Sequence, residues 1–157
     1  MNIKLLAIGK TDSKPLQTLM DEYMKRLSFY VKFDLEVIPD IKNAKNMSED
    51  QQKQKEGELI LSKIGSTDQL ILLDDKGKEF TSISFADELQ KKMNSGIKTL
   101  VFVIGGPYGF SEDVYKNAKG KISLSRMTFS HQMIRLFIIE QIYRGFTILR
   151  NEPYHHE

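Results

Sequence analysis

The chain reads as an α/β domain with a mostly parallel sheet flanked by helices. Two observations predict this. Short apolar runs that suit strands alternate along the whole length with longer segments of helical periodicity. The most strand-like run, Thr99 to Ile104, is apolar at every position after the first, as a central parallel strand buried on both faces should be.

The elements follow in order. Asn2 to Ile8 is a buried strand ending at Gly9. Pro15 to Leu27 carries Leu16, Leu19, Tyr23, Met24 and Leu27 at helical spacing. Asp34 to Ile38 alternates and stops before Pro39, giving a strand. Ile41 to Met47 is loop-like. Ser48 with Gln51 forms a capping box that starts a helix running to about Ile64, polar over its first two turns. Gln69 to Leu73 is a strand, and Asp74-Asp75-Lys76-Gly77 is a turn. Ser84 with Asp87 opens the next helix. Thr99 to Ile104 breaks at Gly105-Gly106-Pro107-Tyr108-Gly109. A short helix from Ser111 and a strand over Lys121 to Leu124 come next. The last helix spans about Ser130 to Leu149, with Ile134, Phe137, Ile138, Ile142, Phe146 and Leu149 toward the core. No repeat, linker or low-complexity tract interrupts the 157 residues, so one domain is expected over 1–157.

Composition narrows the class. Hydrophobic residues make up 40% and charged residues 28%, a soluble globular balance. No window approaches the roughly 20 apolar residues of a membrane span, and Met1 to Lys10 is a strand rather than a signal peptide. The expected location is the cytoplasm, with no membrane partner. The absence of cysteine excludes disulfides and thiolate metal sites. Net charge is only +2, but it is uneven. Residues 1–115 hold 16 Lys/Arg and 18 Asp/Glu, whereas residues 116–157 hold 7 and 3 along with all three histidines. A basic terminal segment on a near-neutral domain suits contact with anions, and it equally suits a solvated helix face.

Open α/β sheets bind ligands at the carboxyl ends of their strands. Three such ends are unusual: Leu73 before Asp74-Asp75-Lys76-Gly77, Ile104 before the glycine-rich turn, and the run Leu124-Ser125-Arg126-Met127-Thr128-Phe129. Other cofactor signatures are missing. The turn after the first strand has one glycine instead of a dinucleotide fingerprint, and no Walker sequence, H-E-x-x-H or G-x-S-x-G occurs. No metal is expected. His131 and Arg135 share one face of the last helix, and Arg144 pairs with Glu140 at i,i+4. The chain ends Pro153-Tyr154-His155-His156-Glu157, an aromatic ring followed by titratable donors, which suits an unpaired base.

Four segments in order, Val101 to Gly106, Leu124 to Arg135, Glu140 to Arg144 and Pro153-Tyr154-His155, strongly resemble the RlmH family over essentially the full chain. Ile8-Gly9-Lys10 and Asn46-Met47-Ser48 match as well. Members of that family methylate N3 of a pseudouridine in bacterial large-subunit (23S) ribosomal RNA. The resemblance implies a minimal SPOUT domain with a C-terminal trefoil knot, a rare exception to unknotted topology. It also implies a homodimer and S-adenosyl-L-methionine as methyl donor. By matching position, Leu73, Gly105, Leu124, Ser125, Arg126, Met127, Thr128 and Phe129 should hold the donor. Tyr154 and His155 should hold the base, with His155 as proton acceptor, and Arg135 and Arg144 should meet phosphate or developing negative charge. His131 is either structural or a participant. Many members carry Arg or Lys after Tyr-His, where this chain has His156, so a fixed phosphate contact is missing there. A small protein with a modest basic patch should read RNA within the assembled ribosome. The last helix also offers more apolar surface than one sheet can cover, with Phe137, Ile139 and Tyr143 spread round it, which again suggests a dimer. The rival classes are a non-catalytic RNA- or ribosome-binding module and a nucleotide-sensing domain.

Overall fold

The computed structural model describes residues 1–157. Five strands form one fully parallel sheet: β1 (Asn2–Ile8), β2 (Lys32–Ile38), β3 (Asp68–Glu79), β4 (Thr99–Ile104) and β5 (Gly120–Ser123). Their spatial order is β2-β1-β4-β3-β5. The helices are α1 (Lys14–Leu27), α2 (Glu49–Ser62), α3 (Ser82–Asn94), α4 (Glu112–Asn117) and α5 (Met133–Leu149). A single 3-10 turn at Ala44–Asn46 lies in the expected loop.

β4 explains the layering. Its side chains alternate between faces, so Leu100, Phe102 and Ile104 join one core and Val101 and Val103 the other. The first core packs Ile3, Leu5 and Ile71 against α1, α3 and α5 through Met20, Leu89, Ile138 and Ile142. The second packs Leu6, Leu70 and Leu72 against α2 and α4 through Ile60 and Val114. A strand covered by helices on both sides needs no polar face, which is why its sequence shows no alternation.

Several boundaries differ from the sequence reading. β3 does not end at Leu73. Leu73 and Lys78 both register with Ile122, so Asp74 to Gly77 bulge out and the strand resumes to Glu79. The bulge is closed by the Lys76 N–H donating to Asp74 Oδ1 at 2.8 Å. Gly77 returns so close to β5 that a Cβ there would lie 2.5 Å from the Ile122 carbonyl carbon. α3 is opened by Thr81, not Ser84. The Thr81 side chain accepts from the Ser84 N–H, and Ser84 Oγ accepts from the Thr81 N–H, so a serine takes the reciprocal role usual for Glu or Gln. α5 starts at Met133, leaving 124–132 irregular, with Ser130 Oγ accepting from the Met133 N–H.

Two core assignments on α5 also change. Phe137 is 36% exposed and rests on Phe129, centroids 4.9 Å apart. Ile139, expected to lack cover, is fully buried in the core of the single chain. No helix is long and apolar enough to cross a membrane.

Candidate active site

The carboxyl ends of β3, β4 and β5 open into one cleft of about 490 Å³. Its walls are the β3 bulge with Leu73, the loop Ile104 to Phe110, the run Ile122 to Ser125 with Met127 to Phe129, and His131 and Ile134 at the start of α5. All the positions expected to hold a donor line it except Arg126. That side chain is 89% exposed and pairs with Glu79 at 3.1 Å instead. His131 stands at the cleft with its ring exposed, and its carbonyl accepts from Arg135 Nε.

Local bonds shape each wall. After β5, Ser123 Oγ donates to the Ser125 carbonyl at 2.8 Å, and Ser125 Oγ accepts from the Met127 N–H at 3.0 Å. These two serines hold an otherwise irregular run. After β4, Gly109 adopts φ +82°, a left-handed conformation that favours glycine, and its N–H closes on the Gly106 carbonyl at 3.2 Å. A Cβ on Gly105 would meet the Phe110 ring at 3.1 Å. The wall from Tyr115 was not legible in the sequence. Its hydroxyl donates to Asp74 Oδ2 at 2.5 Å and ties α4 to the bulge. Burial and this bond push the phenol up to about 12. Burial raises Asp74, but the Tyr115 and Lys76 bonds outweigh it and hold the carboxyl below its ordinary value. No motif marks Tyr115, because it reaches Asp74 on β3 from α4, 41 residues along the chain and beyond α3 and β4.

The remaining expected residues separate into two places. Arg135 is only 1% exposed. Its guanidinium donates to the carbonyls of Ile8 at 2.9 Å and Gly9 at 2.7 Å, and to Thr11 Oγ1 at 3.2 Å. It fastens α5 to the loop after β1, and this corrects the phosphate-binding role expected for it. Its burial depresses the guanidinium, against the pull of Asp12 and Asp40.

Arg144, Tyr154 and His155 do come together, on the outer side of α5. Asn151 takes φ +55° and turns the chain back, with the Glu152 N–H reaching the Thr147 carbonyl at 2.9 Å. Tyr154 then donates to Glu140 Oε1 at 2.9 Å and sets its ring 4.8 Å from that of Tyr143. Arg144 pairs with Glu140, covers the Tyr154 ring at 4.7 Å, and contacts His155 Nδ1 at 3.2 Å. Burial, Tyr23 and Glu140 all raise the Tyr154 phenol, so it stays neutral near pH 7. A guanidinium can only donate, so His155 Nδ1 accepts and the neutral ring carries its proton on Nε2. That Nε2 is buried with no partner. His156 is exposed. None of this tail lines the cleft of its own chain. At 1.5 Å rise per residue, Arg144 lies about 15 Å along α5 from Ile134 at the cleft.

A parallel α/β sheet with a cleft at three adjacent strand ends, walled by a glycine turn and a serine-held run, is the architecture of an α/β domain that binds a small molecule at its strand ends. The chain belongs to the SPOUT methyltransferase family: the family model described as "Predicted SPOUT methyltransferase" matches residues 1–155. Relatives named "Ribosomal RNA large subunit methyltransferase H" align along the full length of both chains. They include proteins of Flavobacterium johnsoniae (78% identical), Flavobacterium psychrophilum (79%) and Parabacteroides distasonis (64%).

Proposed function

We propose that the chain transfers a methyl group from S-adenosyl-L-methionine to N3 of a pseudouridine in large-subunit ribosomal RNA, acting on the assembled ribosome. The observation that carries the donor assignment is the cleft. Its volume lies in the range of small-molecule sites, roughly 300–1,000 Å³, and its walls mix backbone-rich turns with Leu73, Ile104 and Leu124. Such walls suit a purine and a sulfonium-bearing chain. The RNA assignment rests on the relatives' names and on the basic terminal segment.

The donor supplies a methyl group on a sulfonium, an excellent leaving group, so the protein's task is placement. Leu73, Gly105 and the run Leu124 to Phe129, apart from the outward-facing Arg126, would hold the donor, the run kept in shape by the Ser123–Ser125–Met127 bonds. The base loses its N3 proton to solvent water, and the charge that develops spreads to the two flanking carbonyl oxygens. The Arg144 guanidinium is a donor of the right kind for them, and so is the His155 Nε2–H once the exposed terminal Glu157, 3.9 Å away, swings off it. As held by Arg144, His155 has no free lone pair, so it acts as a donor here and not as the proton acceptor. The tail of one subunit meets the cleft of the other in a homodimer, which reconciles the separation of tail and cleft within one chain. The same cleft builds on a C-terminal trefoil knot.

Thr128 is exposed and lines the cleft, so Thr128→Trp fills the space without touching the core. Isothermal calorimetry with S-adenosylhomocysteine should show binding by the wild type and none by the folded variant. A wild type that neither binds nor shifts its melting temperature would favour the non-catalytic RNA-binding module.

A further inference from the structure

Behind the cleft, on the side away from the ligand, lies a carboxyl group that the reaction does not use. Glu56 on α2 is 3% exposed. Gln52 reaches its Oε2 only at 3.4 Å, and its Oε1 has no hydrogen-bond partner. Burying an acid with one oxygen unpaired is costly.

The carboxyl group sits against the backbone of the glycine turn. A Cβ built on Gly106 would lie 2.5 Å from Glu56 Oε1 and 2.7 Å from Cδ. Glu56 thus occupies the place a side chain at 106 would take, with both oxygens turned to the Gly106 Cα–H, a weak but directional contact. One face of Gly106 lines the cleft and the other bears on Glu56. The next residue, Gly57, lies so close to Ser111 that a Cβ there would collide with the Ser111 hydroxyl. α2 therefore presses on both ends of the 106–111 segment through consecutive residues.

We propose that Glu56 is a positioning residue of the donor site: its carboxyl group, wedged behind Gly106, sets the course of the glycine turn along the cleft. The inference rests on the cleft being the donor site. The neutral acid fits this place best. Burial raises its pKa, the weak Gln52 bond opposes that, and Asp40 from the loop after β2 raises it further as the charged group facing it. Ionisation would set a charge against Asp40 with nothing to accept it, and would drive Glu56 off the turn. Donor affinity should therefore fall as pH rises through the Glu56 transition, whereas a neutral amide of the same shape should not respond.

The test is calorimetry with S-adenosylhomocysteine on the full chain from about pH 4.5, the ordinary carboxyl value, to about pH 9. Wild-type affinity should weaken with pH, and Glu56→Gln should hold the low-pH affinity throughout. Gly106→Ala, whose backbone any residue can adopt, should weaken binding about tenfold, and adding Glu56→Ala should recover most of it by vacating the space. Superimposable wild-type and Glu56→Gln profiles, or no recovery in the double variant, would overturn the inference and leave the donor site standing. Absence of binding by the wild type would overturn the donor site and this inference together.

Discussion

At the scale of single residues, Arg135 carries the clearest structural weight. Three carbonyls and a hydroxyl converge on one buried guanidinium that has no carboxylate within bonding distance. Arg135→Met keeps the bulk but leaves those carbonyls unpaired, and should cost about 3 kcal/mol of stability. Urea unfolding would read it, and Arg135→Lys should recover part of the loss. Little change in either variant would mean that the loop after β1 stands without this tie. The sequence placed Arg135 on the correct helix but on the wrong task, because charge and motif do not reveal that the carboxyl end of β1 runs beneath α5. Gly105 is a similar lesson. It lines the cleft as expected, yet its absent Cβ points at Phe110, so a larger residue there disturbs the turn as well as the ligand. Exposed Thr128 is the cleaner position for a block. Glu56 titrates with a definite sign. Its folded pKa is raised above the ordinary 4.5, so the native state binds more protons than the unfolded chain, and stability falls as pH rises from that value through the folded pKa. Thermal melts of Glu56→Gln should be higher than wild type near neutral pH, with the gap closing toward about pH 4. A gap that is constant with pH would assign the difference to packing alone.

At the scale of elements, periodicity and turn chemistry made most of the fold legible. The β4 run and the Ser48–Gln51 box were read as they stand. The failures fall where long-range pairing overrides a local signal. Asp74-Asp75-Lys76-Gly77 has turn composition, but Leu73 and Lys78 meet the same Ile122, so the strand continues past a bulge. The tail's ring and titratable donors suit an unpaired base, but the tail also folds back onto α5 through Asn151, whose left-handed conformation no pattern announced. This alters the expected cost of removing it. Deleting 154–157 removes the Tyr154 bond to Glu140, the ring contact with Tyr143 and the cover over Arg144. We expect a loss of about 1–2 kcal/mol, unchanged S-adenosylhomocysteine affinity and no methyl transfer. Reduced donor affinity in the deleted chain would mean that the tail helps to hold the donor and not only the base.

At the scale of the whole molecule, the two halves of the proposed chemistry lie apart: the cleft at the strand ends and the Arg144–Tyr154–His155 group on the outer side of α5. A second copy of the chain is what would join them. Ile139 no longer argues for a partner, but Phe29, Met127, Met133 and Phe137 remain exposed. Sedimentation equilibrium should show a dimer at tens of micromolar, roughly where an interface of ~1,600 Å² holds; a monomer would leave the tail without a cleft to serve. Mixing a Thr128→Trp chain with a tail-deleted chain should restore activity in the heterodimer, which then has one intact cleft facing one intact tail. Verified heterodimers that stay inactive would mean each chain builds its own site. The measurement that bears most directly on the central claim is transfer of label. The protein would be incubated with tritiated S-adenosylmethionine and ribosomes from a strain lacking the corresponding gene, and the RNA then digested to nucleosides. Label recovered as N3-methylpseudouridine from large-subunit RNA, and abolished by Thr128→Trp, is the predicted result. Ribosomes that stay unlabelled while the same protein binds S-adenosylhomocysteine in its cleft would contradict the account.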